Sequence, residues 1–164
     1  MLEREFDPTN EEMLEQMRRI PAFSPLAEGQ IRAVAGLARL RRYEAGELVI
    51  HEGEYDHWVY FLVQGELGIT HKGVQVGVIR RLGDVFGEMG VIDGSPRSAT
   101  IKALKASLCV AVDAAILERL GGGDKCAVQA LFYRIFCEIM AVRLREMDAK
   151  LAELSRRCAM PPHP

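Results

Sequence analysis

One stretch of the chain, Gly83 to Thr100, combines residue types that could hold a phosphorylated sugar. Phe86 is predicted to end a strand, and Gly87 and Glu88 then precede a very short apolar helical turn over residues 89–92. A helix N-terminus presents free backbone N–H groups and the positive end of a dipole, and both favour an anion. Glycine at position 87 would let that anion come close to the backbone.

The second half of the stretch brings a cation back to the same place. Arg97 follows a predicted turn over residues 93–96, and its guanidinium suits a phosphate. Ser98 adds a hydroxyl and Ala99 a further N–H. Glu88 would repel phosphate, but it could accept a hydrogen bond from a sugar hydroxyl beside the phosphate. Phosphate and ribose in one pocket indicate a nucleotide monophosphate, and the sequence has no GxxxxGK[ST] loop that would indicate a triphosphate.

The hydrophobic periodicity around this stretch divides the chain into four predicted parts. Residues 1–39 are predicted to form N-terminal helices, and residues 40–112 a small β-roll, because short β-branched and aromatic runs alternate there with glycine turns. Residues 113–158 are predicted to form the hinge and dimerisation helices. Residues 159–164, rich in proline, are predicted to be a disordered tail.

Capping signals place the helices within these parts. Thr9 and Glu12 have the spacing of a capping box, and Ser24 followed by proline is typical of a helix start. Asp113 is a suitable N-cap for a short helix that ends at residues 121–123, which are all glycine.

The last predicted helix carries an apolar stripe with the spacing of a coiled coil. Steps of four and three residues alternate along it for more than four heptads. The members of this seam are Cys126, Ala130, Tyr133, Cys137, Met140, Leu144, Met147, Leu151, Leu154 and Cys158. A second apolar stripe runs only from Leu131 to Val142.

The seam has two interpretations. A single helix packed on its own domain explains the second stripe, but not why the seam continues beyond it. We therefore predict a homodimer whose interface includes Tyr133, Cys137, Met140, Leu144, Met147, Leu151 and Leu154.

The stretch from Gly83 to Thr100 resembles the phosphate-binding cassette of cyclic nucleotide-binding domains. That cassette reads Phe-Gly-Glu, a few apolar residues, a short turn, and then Arg followed by Ser, Thr or Ala and by Ala. Further similarity extends over about residues 18–157. It includes Pro21–Leu26, Tyr43–Ile50 and Val59–Glu66.

This resemblance implies a mainly β fold with helical flanks, a double-stranded β-helix (a jelly-roll-like β-roll) with N-terminal helices and a long C-terminal helix. It implies that cAMP or cGMP is the ligand. Glu88 would accept a hydrogen bond from the ribose 2′-OH, and Arg97 would pair with the cyclic phosphate beside Met89. Ser98 and the backbone N–H groups of Gly87, Glu88 and Ala99 would assist. The alternative is a degenerate cassette in which Glu88 and Arg97 pair with each other.

The nucleotide base is less well defined. Met147 and Asp148 fall where the bacterial activators of the family carry hydroxyl residues that contact adenine. An Asp148 carboxylate could accept hydrogen bonds from guanine N1–H and N2–H or from adenine N6–H₂, and the alternative is a solvated helix charge. Serine at position 98 does not distinguish cAMP from cGMP, so the resemblance leaves that choice open.

Composition excludes several classes of protein. A chain of 164 residues with a net charge of −2 is about one domain and lacks the positive field of a nucleic-acid binder. No apolar run approaches the roughly 18 residues that cross a bilayer, and the first residues have no signal-peptide core. Four cysteines, Cys109, Cys126, Cys137 and Cys158, form no CxxC pair, which predicts a reducing cytoplasm.

No enzymatic site is predicted. His51, His57 and His71 lack the spacing of a metal-binding cupin, so we expect no metal, and neither Ser107 nor Ser155 has an evident base partner. We expect no cofactor. Because barrel and helix occupy the chain to residue 158, we expect a stand-alone sensor of a cyclic nucleotide. We expect this sensor to signal through an unknown protein effector and to have neither a nucleic acid nor a membrane as partner. The alternatives are the ligand-binding part of a cAMP-responsive transcription regulator and a degenerate or metal-binding β-roll.

Overall fold

Antiparallel strands dominate the computed structural model, which describes residues 1–5, 7, 9–117 and 123–159. The chain divides into two units, Met1–Val128 and Gln129–Pro164. The first unit contains the strands and the short helices, and the second contains most of one long helix.

The N-terminal part begins with a strand, β1 (Leu2–Glu5), and not with a helix as predicted. The strand pairs antiparallel with β2 (Ala38–Tyr43). Glu3 adds cross-strand ion pairs to the backbone pairing: its carboxylate lies 3.0 Å from Arg39 and 2.6 Å from Arg41 on the neighbouring strand. The local sequence of β1 does not predict these cross-strand ion pairs.

The first helix of this part begins one residue later than predicted, and the second begins several residues later. Helix α1 (Glu11–Arg18) is capped by Asn10, whose side chain accepts from the Met13 N–H at 3.1 Å, and not by Thr9. A 3-10 turn occupies Pro21–Phe23, and α2 begins only at Glu28 and ends at Ala35. Ser24 does not start that helix: its hydroxyl donates back to the Pro21 carbonyl at 2.8 Å.

The remaining strands complete two sheets. They are β3 (Leu48–Ile50), β4 (Trp58–Gln64), β5 (Leu67–His71), β6 (Val74–Ile79), β7 (Val85–Phe86), β8 (Thr100–Ala103) and β9 (Ser107–Asp113). The strand orders are β1-β2-β9-β4-β7 and β3-β8-β5-β6. The predicted fold, a mainly β roll with helical flanks, is confirmed.

The core of the roll is formed by alternate side chains of both sheets. Its members are Tyr43, Ile50, Tyr60, Leu62, Leu67, Ile79, Phe86, Ile101, Ala103, Cys109 and Ala111. Burial raises the pKa of the Cys109 thiol to about 12, so this thiol is a small apolar core group.

A short helix follows the roll as predicted. Helix α4 covers Ala114–Leu117, and the Asp113 carboxylate accepts from the Ala115 N–H at 3.0 Å. Residues 118–122 of this predicted helix, and residues 160–164 of the predicted tail, lie outside the described residues. Ala159 was predicted to begin the disordered tail but is the last residue of the helix that follows.

One continuous helix, α5, runs from Gly123 to Ala159. Phe132, Ile135 and Phe136 are buried, whereas the seam remains largely open to solvent. Its exposed apolar members include Tyr133, Leu144, Met147, Leu151 and Leu154.

Candidate ligand-binding site

The loop between β7 and β8 builds the candidate site from one glycine and one short helix. Gly87 follows β7 with φ of +81°, a left-handed conformation that favours glycine. Glu88 is the N-cap of α3 (Met89–Asp93), which ends at a left-handed Gly94. The predicted strand end and helical turn are therefore present, and so is the segment of residues 97–99 that leads from the turn to β8.

Close contacts also require glycine at position 87. A Cβ there would lie 2.8 Å from Nη1 of Arg97 and 2.9 Å from the carbonyl oxygen of Trp58. Both distances are too short for a carbon atom, so the glycine lets Arg97 pass directly beneath the backbone of the loop.

Two charged side chains are buried in this loop, with Glu88 0% and Arg97 4% exposed. Burial of a charge is unfavourable unless other groups compensate it. Arg97 donates from Nε to Oδ2 of Asp56 at 2.9 Å and from Nη2 to Oδ1 of the same carboxylate. It also donates from Nη1 to the Gly87 carbonyl and from Nη2 to the Trp58 carbonyl at 2.5 Å. The guanidinium is thus fixed in orientation by a bidentate carboxylate and two backbone oxygens.

Asp56 is a site residue that the sequence reasoning missed. It lies just before β4, and its Oδ1 also accepts from the Trp58 N–H at 2.8 Å. The signal in the sequence is that a buried arginine needs a carboxylate partner. Glu52, Glu54 and Asp56 all lie shortly before β4, and the structure pairs Arg97 with Asp56.

An aromatic pair lies under the loop. The ring of Tyr60 stacks on Phe86 at a centroid distance of 5.0 Å, and a Cβ on Gly87 would lie 3.2 Å from Tyr60 Cδ2. Burial raises the pKa of Tyr60, so its hydroxyl stays protonated and accepts from Arg41 Nη1 at 2.8 Å. The Arg41 guanidinium also lies 4.0 Å from the centre of the Trp58 ring. These contacts fix the orientation of the Tyr60 ring beneath the loop.

His71 contacts the backbone of the loop at Ser98, in the segment of residues 97–99. Its Nδ1 lies 2.8 Å from the carbonyl oxygen of Ser98 and 3.1 Å from Oε1 of Glu52. Both neighbours are acceptors, so Nδ1 carries the proton. The sequence reasoning considered His71 only as a metal ligand and did not identify this contact.

Backbone hydrogen bonds also join the segment of residues 97–99 to the loop between β3 and β4. Arg97 N–H donates to the Glu54 carbonyl at 2.8 Å, and Gly53 N–H donates to the Arg97 carbonyl at 2.9 Å. The position of Arg97 is therefore determined by its backbone as well as by its side chain.

The structure brings six of the seven sequence-predicted ligand residues together in one loop: Gly87, Glu88, Met89, Arg97, Ser98 and Ala99. Ser98 is exposed, and its hydroxyl lies 3.7 Å from the Met89 sulfur. Asp148 belongs to the second unit, where it is exposed on α5.

The described residues offer neither a cluster of metal ligands nor a membrane-spanning helix. They contain no group of three or more His, Cys, Asp or Glu side chains that could hold a metal ion. Among them, no helix has both the length and the apolar character needed to cross a bilayer.

Comparison with known proteins places this loop in a family. The family model of the cyclic nucleotide-binding domain matches residues 40–124. A cGMP-dependent protein kinase of Eimeria tenella is 31% identical over 118 residues, which are 72% of this chain and 11% of the kinase. A cAMP-dependent protein kinase regulatory subunit of Schizosaccharomyces pombe is 30% identical over 106 residues, which are 65% of this chain and 26% of that protein.

A solved structure agrees in fold. The crystal structure of a cyclic nucleotide-binding domain from Methylobacillus flagellatus superimposes with a TM-score of 0.73 at 20% identity, covering 87% of this chain and 82% of that one. The chain spans only about a tenth to a quarter of the length of the two kinase relatives. The match of the family model over more than half of the chain, on the same loop that holds Glu88 and Arg97, shows that the chain belongs to the cyclic nucleotide-binding domain family.

Proposed function

We propose that this chain is a cyclic nucleotide sensor that binds cAMP or cGMP in the loop from Gly87 to Ala99. The observation that carries the proposal is the burial of Glu88 and Arg97 in one loop, at 0% and 4% exposure. A guanidinium and a carboxylate in one loop are the groups that would hold a phosphate and a ribose hydroxyl, and buried charged groups of this kind are concentrated at functional sites.

Arg97 retains the capacity to bind a phosphate. A guanidinium has five N–H donors. Hydrogen bonds to Asp56, Gly87 and Trp58 use four of them, which leaves one on Nη1 among the described residues. That donor, the positive charge, the Ser98 hydroxyl and the backbone N–H groups of the loop would together hold the cyclic phosphate. Glu88 would accept from the ribose 2′-OH.

The relatives support a cyclic nucleotide without selecting the base, because one is named for cGMP and the other for cAMP. Asp148 is the side chain that we propose to contact the base. Its carboxylate can accept from an exocyclic amino group of either purine.

The output of the sensor would pass through α5. We propose that the exposed seam of α5 associates with a second copy of the chain, and that ligand binding shifts the population between two arrangements of this helix. The chain would then act on a protein effector in the cytoplasm and would itself catalyse no reaction.

Calorimetric titration with cAMP and with cGMP tests the proposal. We expect saturable heat with at least one nucleotide. Replacement of Arg97 by Lys should weaken binding by about ten- to a hundredfold, because hydrogen bonds to charged groups contribute about 1.5–3 kcal/mol. Glu88→Gln should weaken binding as well, through the ribose.

Arg81→Lys is the matched control, because Arg81 is exposed and lies outside the loop. Thermal unfolding of each variant separates loss of fold from loss of binding. Absence of heat with both nucleotides would overturn the sensor, and unchanged affinity in a folded Arg97→Lys variant would overturn the assignment of the site.

A further inference from the structure

The outer strand of the second sheet has a free side. Strand β6 pairs with β5 and ends the sheet order β3-β8-β5-β6. The side of β6 that faces away from β5 presents backbone N–H and C=O groups in the pattern that another strand would pair with.

Charge or short length protects the other three sheet edges, whereas β6 is long and uncharged and its one irregularity is a shift of register beside Val76. Strand β1 carries three charges in its four residues, and β3 and β7 are only three and two residues long. Strand β6 has six residues, Val74–Ile79, without a charge or a proline. Long uncharged edges are uncommon in proteins that have no partner for them.

The exposed side chains of β6 are mostly apolar. Val74, Val76 and Val78 are 64%, 52% and 41% exposed. The pairing with β5 shifts by one residue beside Val76, so Val78 pairs with Gly68 and Val74 pairs with His71, on opposite faces of the sheet. Leu104 extends the face that carries Val78, because a Cβ on Gly68 would lie 3.2 Å from Leu104 Cδ2. An incoming strand would therefore find both backbone partners and apolar side chains.

Exposed cations surround this uncharged strand. Lys72 precedes it, Arg80 and Arg81 follow it, and Lys102 lies opposite Gly68 on β8. Within the described residues none of the four has a carboxylate within 4.0 Å, whereas Arg18, Arg32, Arg39, Arg41, Arg42, Arg97 and Lys105 all have one. The carboxylates of Glu52 and Asp84 accept from backbone N–H groups of Lys72, Arg80 and Arg81. The cations are thus left available to a partner of opposite charge.

We propose that β6 is a docking edge for an extended segment of a partner protein, in which alternate apolar residues are bracketed by acidic residues. The segment would add a strand beside β6, place its apolar side chains on Val74, Val76 and Val78, and pair its acidic ends with Lys72 and Arg80. Charge argues against a second copy of the chain as the occupant. Antiparallel pairing of β6 with itself about Val76 would place Lys72 opposite Arg80.

The test uses the full chain and a fluorescein-labelled synthetic peptide of alternating valine and threonine with glutamates at both ends. Fluorescence anisotropy should report saturable binding that weakens with added salt, because exposed charges are screened. The same peptide with lysines at its ends should bind about tenfold more weakly or not at all. Equal binding of the two peptides would overturn the charge complementarity on which the proposal rests.

Two variants locate the site. Val76→Lys places a charge among the exposed side chains of β6, and Lys72→Glu with Arg80→Glu reverses the flanks; each should weaken binding of the acidic peptide by about tenfold. Arg19→Glu, at an exposed cation outside this sheet, is the matched control and should leave binding unchanged. Unchanged binding in Val76→Lys, with the thermal unfolding of the parent, would overturn the proposal.

Two further measurements exclude other occupants. A mass by light scattering that falls in Val76→Lys would assign the edge to a second copy. Co-sedimentation with phosphatidylserine vesicles that is lost in the Lys72→Glu and Arg80→Glu variant would assign it to an anionic lipid surface. Either result would overturn the peptide assignment.

Discussion

Arg97 and Asp56 form a bidentate ion pair, with Nε of the arginine 2.9 Å from Oδ2 of the aspartate. The pair joins the loop between β7 and β8 to Asp56, which lies just before β4. Because the aspartate fixes the orientation of the guanidinium, the arginine has little freedom left to lose when a phosphate binds. Such preorganisation raises affinity by reducing the entropy lost on binding.

Removal of this carboxylate should therefore affect both stability and binding. Asp56→Ala leaves a buried guanidinium without its anionic partner, and we expect a loss of about 1–3 kcal/mol in the free energy of unfolding. Nucleotide affinity should fall in the same variant, and denaturant titration with calorimetry measures both.

Glu44→Ala is the control for this experiment, because Glu44 forms an exposed ion pair with Arg42 at 3.2 Å. That change should cost at most about 1 kcal/mol. Equal effects of the two substitutions would contradict a special role for Asp56.

Gly87→Ala should abolish nucleotide binding. The new methyl group would meet Nη1 of Arg97 and the Trp58 carbonyl, so the arginine would have to leave its position. Gly46→Ala is the matched control: its φ of +89° carries the same backbone strain, but no atom lies within 4 Å of the added carbon. Calorimetry on both variants should find binding only in Gly46→Ala; retained affinity in Gly87→Ala would contradict the steric argument.

His71→Ala should weaken nucleotide binding by about twofold to tenfold, the value of one ordinary hydrogen bond. Because the peptide unit is planar, the hydrogen bond from His71 to the Ser98 carbonyl also orients the N–H of Ala99. His71→Gln keeps a donor and should restore part of the affinity, while thermal unfolding of both variants stays close to that of the parent.

An exposed histidine elsewhere provides the control. His51→Ala should leave affinity unchanged, since His51 lies outside the ligand loop. If His71→Ala and His71→Gln bind equally weakly, the hydrogen bond is not the cause.

Charges placed in the α5 seam should prevent self-association. Leu144 and Leu151 are both exposed members of the seam, so replacing both by Glu would put four carboxylates into a dimer interface. Light scattering should report a monomer for this variant and a dimer for the parent. Ala149→Glu, an exposed change between seam positions, should keep the mass of the parent; a seam variant of unaltered mass would refute the predicted interface.

Alkaline pH should destabilise the fold. The pKa of the Cys109 thiol is about 12 in the folded chain against an ordinary 9.0, and burial also raises the pKa of Tyr43 and Tyr60. Above the ordinary thiol pKa the unfolded chain loses a proton that the folded chain keeps. The contribution of Cys109 to the free energy of unfolding should therefore be constant below pH 9.0 and fall as pH rises toward 12.

Denaturant titrations on both sides of pH 9.0 measure this decline. Cys109→Ala should reduce its slope by about 1 kcal/mol per pH unit, because one titrating group is removed. A slope unchanged by the substitution would show that Cys109 does not contribute.

Local signals in the sequence predicted the parts of the site that lie close together along the chain. The strand end at Phe86 and the short helix after Gly87 follow from residues that are sequence neighbours. The partners of Arg97 and Ser98 could not be predicted in this way, because Asp56 and His71 are 41 and 27 residues away. The same reason explains β1, whose partner strand and Glu3 ion pairs lie more than 30 residues later in the chain.

Helix α3 is buried in the protein only at its N-terminal end. Its N-cap Glu88 is fully buried, whereas none of the residues Met89–Asp93 is. Unwinding this turn would therefore expose little apolar surface, and its cost would be largely independent of the cost of unfolding the roll. The amide protons of α3 should exchange with solvent through local openings, far ahead of those of β9, so this turn should open as a unit separate from the roll.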